Sequence, residues 1–378
     1  MLCIKYVKIV GIVMSQTRKS RISAVNIVFL ISIVISVVAS FLPLEFLTGR
    51  PALQIIFSQL ILVLPSVVYL VKFRMPYAEA VRFRKMKISD MLLCILFGIL
   101  IQPAMTLINA LSMVFAVNTT STFMVELSGQ IPFLGALFLM AIVPCVLEET
   151  VYRGVFYNEY SKINPWKAAL LSGFLFGLMH GNINQFCYAA VMGIVFALVI
   201  EATGSILSTM LIHFWINAGS VVMIYLYPKL YEVMQAFYRM YKEYGDEEMA
   251  KMLELSFGDM TLDSSVWMQQ MLAASTDMSL DITSILLVYG PPALIMGVLA
   301  YFLYRKLARR NGNWERICGF FVKGQEQTSI KEPEEKDEQW QQNEAVENVS
   351  KQSMVTVPLV LAIVIGIGFM ILYEVLAR

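Results

Sequence analysis

Long apolar runs separated by short polar clusters set the pattern of this chain. A hydrocarbon core of ~30 Å takes about 20 apolar residues when crossed as a helix. By that measure nine stretches are candidate spans: 22–42, 52–71, 91–117, 133–147 (running on into a polar extension), 166–179, 186–201, 205–227, 282–304 and 355–376. The fifth and sixth are short, so a tilted or half-buried placement is open to them. Before Arg21 there is only a short apolar run with basic flanks. The segment after it is long and lacks a small-residue cleavage site, so it reads as a span and not as a cleavable leader.

Composition narrows the class. Of 378 residues, 58% are hydrophobic and 15% charged, with a mean hydropathy of +0.66. A soluble chain carries about 25% charged residues. The same figures exclude a disordered or collagen-like chain. Five cysteines are too few, and odd in number, for a disulfide scaffold. A net charge of +1 argues against a nucleic-acid partner. The expected fold is an all-α polytopic membrane helix bundle of about eight core spans with one more appended at the C-terminal end.

Basic residues orient the bundle. Lys5, Lys8, Arg18, Lys19 and Arg21 precede the first span; Lys72, Arg74, Arg82, Arg84, Lys85 and Lys87 follow the second; Arg305, Lys306, Arg309 and Arg310 follow the eighth. Nine spans with a cytoplasmic N-terminus put all three clusters on the cytoplasmic side, which is the plasma membrane's inner face if the host is bacterial. The loop 228–281, with four Lys/Arg and ten Asp/Glu, then falls outside. The expected organisation is a cytoplasmic segment 1–21, a bundle 22–310 with that external loop, a disordered linker 311–354 rich in Glu, Gln and Lys, and a C-terminal helix 355–378. The segment 72–87, basic with Phe73, Tyr77 and Phe83 interleaved, suits a surface of anionic lipid.

Ionisable groups within apolar spans are costly and need a reason. The two histidines, His180 and His213, both lie in or at the ends of apolar segments, and Glu148, Glu149, Arg153 and Asn217 accompany them. If the fourth and fifth spans form a hairpin turning near 163–165, Glu148 lies about 22 Å and His180 about 25 Å from the turn at ~1.5 Å per residue. His213 is eight residues into the seventh span, about 12 Å deep. Asn217 shares its helix face, and Glu149 with Arg153 is an i,i+4 pair in the favourable order. Glu148, about 100° round the helix, is left to face a different cavity. Pro144 predicts a kink one turn before it. Gly173, Gly177 and Gly181 form a small-residue stripe able to bring a helix, and with it His180, against the fourth span. A carboxylate and an imidazole sharing a water make a general base with its orienting partner. A second imidazole and an amide on one face supply two donors to a developing oxyanion.

These residues resemble the CPBP family of intramembrane endopeptidases, which takes in type II CAAX prenyl endopeptidases and bacteriocin-processing or immunity proteins. Three motifs carry the likeness: Glu-Glu-x-x-x-Arg at Glu148, Glu149 and Arg153, Phe-x-x-x-His at Phe176 and His180, and His-x-x-x-Asn at His213 and Asn217. Pro144, Gly154 and the run from Thr203 to Leu207 fit as well, over a motif core of about 133–219. The resemblance implies an intramembrane endopeptidase acting on a membrane-associated protein or peptide, with prenylated CAAX proteins as the family's label. It implies that Glu148 and His180 activate water, that His213 and Asn217 form the oxyanion site, that Glu149 and Arg153 support it, and that the cavity opens to the cytoplasm. No cofactor is expected. The alternative is zinc on Glu148, His180 and His213, three ligands plus water. Two other functions fit the same residues: a proton-coupled transporter, and a non-catalytic immunity or scaffold protein. Phe176 reads as packing, and Cys94, Cys145 and Cys187 as small hydrophobes.

Overall fold

The protein is described here from a computed structural model covering residues 2–277, 281–320 and 353–377. Those residues form helices and connections, with no strand among them. In order the helices are α1 (Leu2–Phe41), α2 (Pro51–Lys72), α3 (Ile88–Met113), α4 (Thr120–Gln130), α5 (Phe133–Ser161), α6 (Pro165–Leu178), α7 (Ile183–Thr203), α8 (Ile206–Glu243), α9 (Glu247–Phe257), α10 (Ser264–Asp277), α11 (Ile282–Arg310), α12 (Trp314–Gly319) and α13 (Val357–Ala377). Eight of these are long and apolar enough to cross a membrane. The chain is therefore an integral membrane protein with the expected all-α polytopic bundle. The difference from nine is α6, whose 14 residues reach only about 21 Å. Its limits are local. Asn164 caps it, accepting the Lys167 N–H at 2.9 Å, with Pro165 in the first turn, and Gly181 turns the chain at φ +73°.

The small-residue stripe of α6 finds a different partner from the one expected. A Cβ at Gly173 would lie 2.7 Å from the backbone nitrogen of Ile194, and one at Gly193 would lie 2.6 Å from the Cα of Gly173. The stripe thus seats α7 and not α5, and the two helices run as a tight hairpin. Asn182 opens α7 by accepting the Gln185 N–H at 2.8 Å. Gly204 ends it at φ +74°, and Ser205 begins α8 by accepting the Leu207 N–H. That two-residue corner fixes how deep His213 sits on α8.

Three connections differ from expectation. The stretch 228–281 is no open loop: α8 continues through Pro228 to Glu243, and α9 and α10 fold back on it. A small core explains this, with Tyr231 stacked on Trp267 at 4.4 Å between ring centroids and Met260 and Met268 buried beside them. The start of the expected linker is also built. In α12 Ile317 is buried and Asn313 donates to the Ala202 carbonyl at 3.1 Å; residues 321–352 lie outside the described residues. Finally, α13 packs along α1, where Asn26 donates to the Met354 carbonyl at 2.9 Å and to Thr356 at 2.8 Å. Its Gly366 lies against Leu178, at the end of α6.

Arg21, Arg74, Arg82, Arg84, Lys162 and Arg316 line one cavity, and Arg310 pairs with Asp90 at 2.9 Å. Basic residues from α1, from the segment after α2 and from the end of α11 and α12 therefore share one end of the bundle.

Candidate active site

The site grows from an irregularity in α5. Two π-helical segments, Phe138–Ile142 and Thr150–Tyr157, flank the short α-helical stretch Val143–Glu149. Such wide turns occur often at functional sites. Pro144 lies between them and has no N–H to give the carbonyl one turn back, which belongs to Met140. Asn217 of α8 supplies the missing donor, with Nδ2 at 3.0 Å from the Met140 oxygen. The kink expected at Pro144 is thus tied to α8 by the last residue of the third motif, and Asn217 keeps a second Nδ2 hydrogen for other use.

Glu149 is fully buried, as is Arg153. Arg153 donates from Nη1 to Glu149 Oε1 at 3.0 Å, the expected i,i+4 pair. The guanidinium also lies over two rings, 4.4 Å from the centroid of Phe176 and 5.0 Å from that of Phe196, which suits a desolvated cation. The same Glu149 oxygen stands 3.0 Å from Nδ1 of His213. A carboxylate paired with arginine is an acceptor, so Nδ1 carries the proton and donates.

Glu148 was expected to face a separate cavity. The structure instead brings it to the other edge of the same imidazole: its Oε2 lies 3.9 Å from His213 Nε2. The reason is that α8 passes close enough for its buried histidine to bridge side chains 100° apart on α5. Glu148 keeps 15% side-chain exposure where His213 keeps 3% and Glu149 none, so it is the more accessible of the two carboxylates. Its Oε1 accepts from Gln59 Nε2 of α2 at 2.9 Å. Gln59 was missed from the sequence, although a buried glutamine in the middle of an apolar span obeys the rule that drew attention to the others.

His180, at the end of α6, is half-buried. Its Nδ1 lies 2.8 Å from the Phe176 carbonyl and its ring meets the Phe176 ring edge-on at 5.0 Å. Phe176 also touches His213 at 6.1 Å and Tyr152 at 4.9 Å between centroids. Read from the sequence as packing, this ring is the hub that holds Arg153 and both histidines in one layer. Among the described residues no three His, Cys, Asp or Glu side chains converge to hold a metal ion. The Nδ1 of His213 is engaged by Glu149 and that of His180 by a carbonyl, contacts that involve only one nitrogen of each ring.

Comparison with known proteins falls on the same stretch. The family described as Type II CAAX prenyl endopeptidase Rce1-like matches residues 130–219. A protein of Bacillus subtilis (strain 168) named "Putative membrane peptidase YdiL" is 28% identical over 88 residues, 23% of this chain and 36% of that protein. The chain thus matches about a third of that relative's length. No solved structure matches. The match encloses every residue of the three motifs and leaves α1–α3, α9–α13 and Gln59 outside it. Over that region, with its motifs in order and its helices in a membrane bundle, the chain is similar to the CPBP family.

Proposed function

We propose that the protein is an intramembrane endopeptidase that hydrolyses a peptide bond of a membrane-associated protein or peptide by activating water on Glu148. The observation that carries this reading is the pair of edges on His213: Nδ1 fixed by buried Glu149, Nε2 turned toward the accessible Glu148 at 3.9 Å. That gap is too wide for a direct hydrogen bond and suits two groups that contact one water. Glu148 takes the water proton as the oxygen attacks the carbonyl carbon, and returns it to the leaving amine. Gln59 holds the other carboxylate oxygen and so selects which oxygen faces the water. His180, as the resemblance implies, assists Glu148.

The oxyanion role of His213 carries a condition. With Nδ1 donating to Glu149, Nε2 bears a proton only in the imidazolium form. An imidazolium at Nε2 and the second Nδ2 hydrogen of Asn217 then stabilise the tetrahedral oxyanion. No step runs through a metal. The basic clusters favour a cytoplasmic N-terminus and a cleft reached from that side. Substrates of the CAAX type follow from the family description alone.

The test is hydrolysis of lipidated and unlipidated peptides by the purified protein in detergent, with and without chelator. Glu148→Gln should abolish cleavage while the protein stays folded; turnover by that variant would overturn the reading. Substrate-independent proton flux in vesicles, with no cleavage, would favour a transporter on the same residues.

A further inference from the structure

Apart from the glutamates, at the end of the bundle where the basic clusters meet, lies a cavity of about 880 Å³. That is within the range of small-ligand sites, about 300–1,000 Å³. Its walls carry six cationic side chains from four separate segments. They are Arg21 of α1, Arg74, Arg82 and Arg84 between α2 and α3, Lys162 between α5 and α6, and Arg316 of α12.

The acidic groups do not balance them. Glu159 is shared by Arg21 at 4.0 Å and Lys162 at 2.8 Å, and Glu201 is shared by Arg82 and Arg316. Both carboxylates are 1% exposed, so they brace the cations from beneath. With Glu79 on the wall, three carboxylates face six cations and leave an excess of three. Arg74 and Arg84 have exposed side chains and no carboxylate within 4.0 Å among the described residues.

The rim is built and held. Arg74 and Arg82 have φ of +49° and +54°, a left-handed conformation that residues with a Cβ seldom adopt and that clusters at functional sites. The Arg82 carbonyl accepts from the Ile206 N–H at 3.2 Å, and the Arg84 carbonyl from the Ser205 hydroxyl at 2.6 Å. These contacts fix the backbone; the Arg82 guanidinium is held by Asn158, Glu201 and Ser161, and that of Arg84 has no carboxylate against it among the described residues. Charge that only orients a membrane protein needs neither concavity nor a strained rim, and lysine serves it as well as arginine. Five of these six cations are arginines, whose planar fork matches phosphate oxygens.

We propose that this cavity binds a phosphate-bearing anion: the phosphodiester headgroup of an anionic phospholipid, or a free phosphorylated small molecule with the same chemistry. The wall that would grip it also grips α5. Tyr77 shares a hydrogen bond with Thr150 at 2.9 Å, and Val81 packs on Gly154, respectively one or two and five or six residues from the motif glutamates.

The test uses the full chain in detergent, titrated with phosphatidylglycerol, with phosphatidylcholine as the zwitterionic control, and separately with inorganic pyrophosphate. Affinity is read by tryptophan fluorescence and by the shift in melting temperature. Binding of phosphatidylglycerol over phosphatidylcholine, or of pyrophosphate, supports the proposal, and the active arm names the source. R74Q/R84Q should weaken that binding at least tenfold, whereas K85Q/K87Q, which removes the same charge outside the cavity, should leave it unchanged. R84Q alone, expected to weaken binding severalfold, replaces the double variant should that melt without ligand. Binding of neither anion, or equal loss in the two double variants, would overturn the site in favour of diffuse surface charge. Peptidase activity enters neither readout, so failure of the proposed reaction leaves this test intact.

Discussion

Removing one charge of the Glu149–Arg153 pair should cost far more stability than removing both. The pair is fully buried, and its 3.0 Å contact is the cation's one carboxylate pairing among the described residues. Glu149→Gln leaves a guanidinium in a dry core with two aromatic faces for company. Arg153→Met leaves a carboxylate answered only by the neighbouring His213 and Thr209. Breaking one member of a buried pair typically costs about 3–5 kcal/mol. Replacing both charges by neutral groups of similar volume is often close to neutral. The double variant should therefore be less destabilised than the sum of the singles by at least about 6 kcal/mol. Arg153→Met also gives up its cation–aromatic contacts, worth about 2 kcal/mol when desolvated, which makes it the worse of the singles. The assay is equilibrium unfolding of the four proteins in mixed micelles, closed as a double-mutant cycle. Additive losses would refute the reasoning, because they would mean that neither charge depends on the other.

Four further outcomes follow from the same geometry. Glu148→Gln should unfold within about 1 kcal/mol of wild type, since the amide oxygen still accepts from Gln59; a loss as large as that of Glu149→Gln would reverse the roles assigned to the two glutamates. Gln59→Leu should lower turnover about tenfold with an unchanged melting temperature, read as kcat on a peptide the purified protein cleaves. Gly154→Ala places a Cβ 2.6 Å from Val81 Cγ1 and 3.2 Å from its Cα, so overpacking should cost about 1–3 kcal/mol, partly relieved by Val81→Ala in the same melting assay. Asn182→Ala removes the cap of α7 and should cost about 1 kcal/mol, measured by denaturant unfolding.

Much of the bundle was legible because the membrane imposes one strong rule on the chain: backbone polar groups must be satisfied within each segment, so apolar runs become helices. Glu149 and Arg153 could be paired from spacing alone, since i,i+4 geometry is a property of any helix. The limit showed where a partner on another helix decides the outcome. Glu148 and Glu149 point 100° apart on α5, yet both reach His213, because α8 lies against α5 with the histidine between them. The stripe on α6 could be read as a close-packing face, but not that α7 and not α5 fills it. Phe176 looked like packing; only the placement of α5, α7 and α8 around it makes one ring the neighbour of Arg153, His180 and His213. Gln59 carried a readable signal, a polar group in an apolar span, and no motif pointed to it. Short helices at 228–281 and 314–319 were hidden because their stability comes from small local cores, to which a composition rule is blind.

The sequence by itself determined the solvent and the parts: an apolar chain of membrane length, few charges, and three motifs whose side chains are costly enough there to need a purpose. Tertiary structure decided their assignment. It set Glu149 beneath His213 and Glu148 beside it, gave Asn217 the carbonyl that Pro144 leaves unserved, and gathered basic residues more than two hundred positions apart around one cavity. The division has a physical cause. Burial and helix periodicity act along the chain and can be read from it, whereas hydrogen bonds and charge pairs depend on which helices meet, and that is settled by packing between segments.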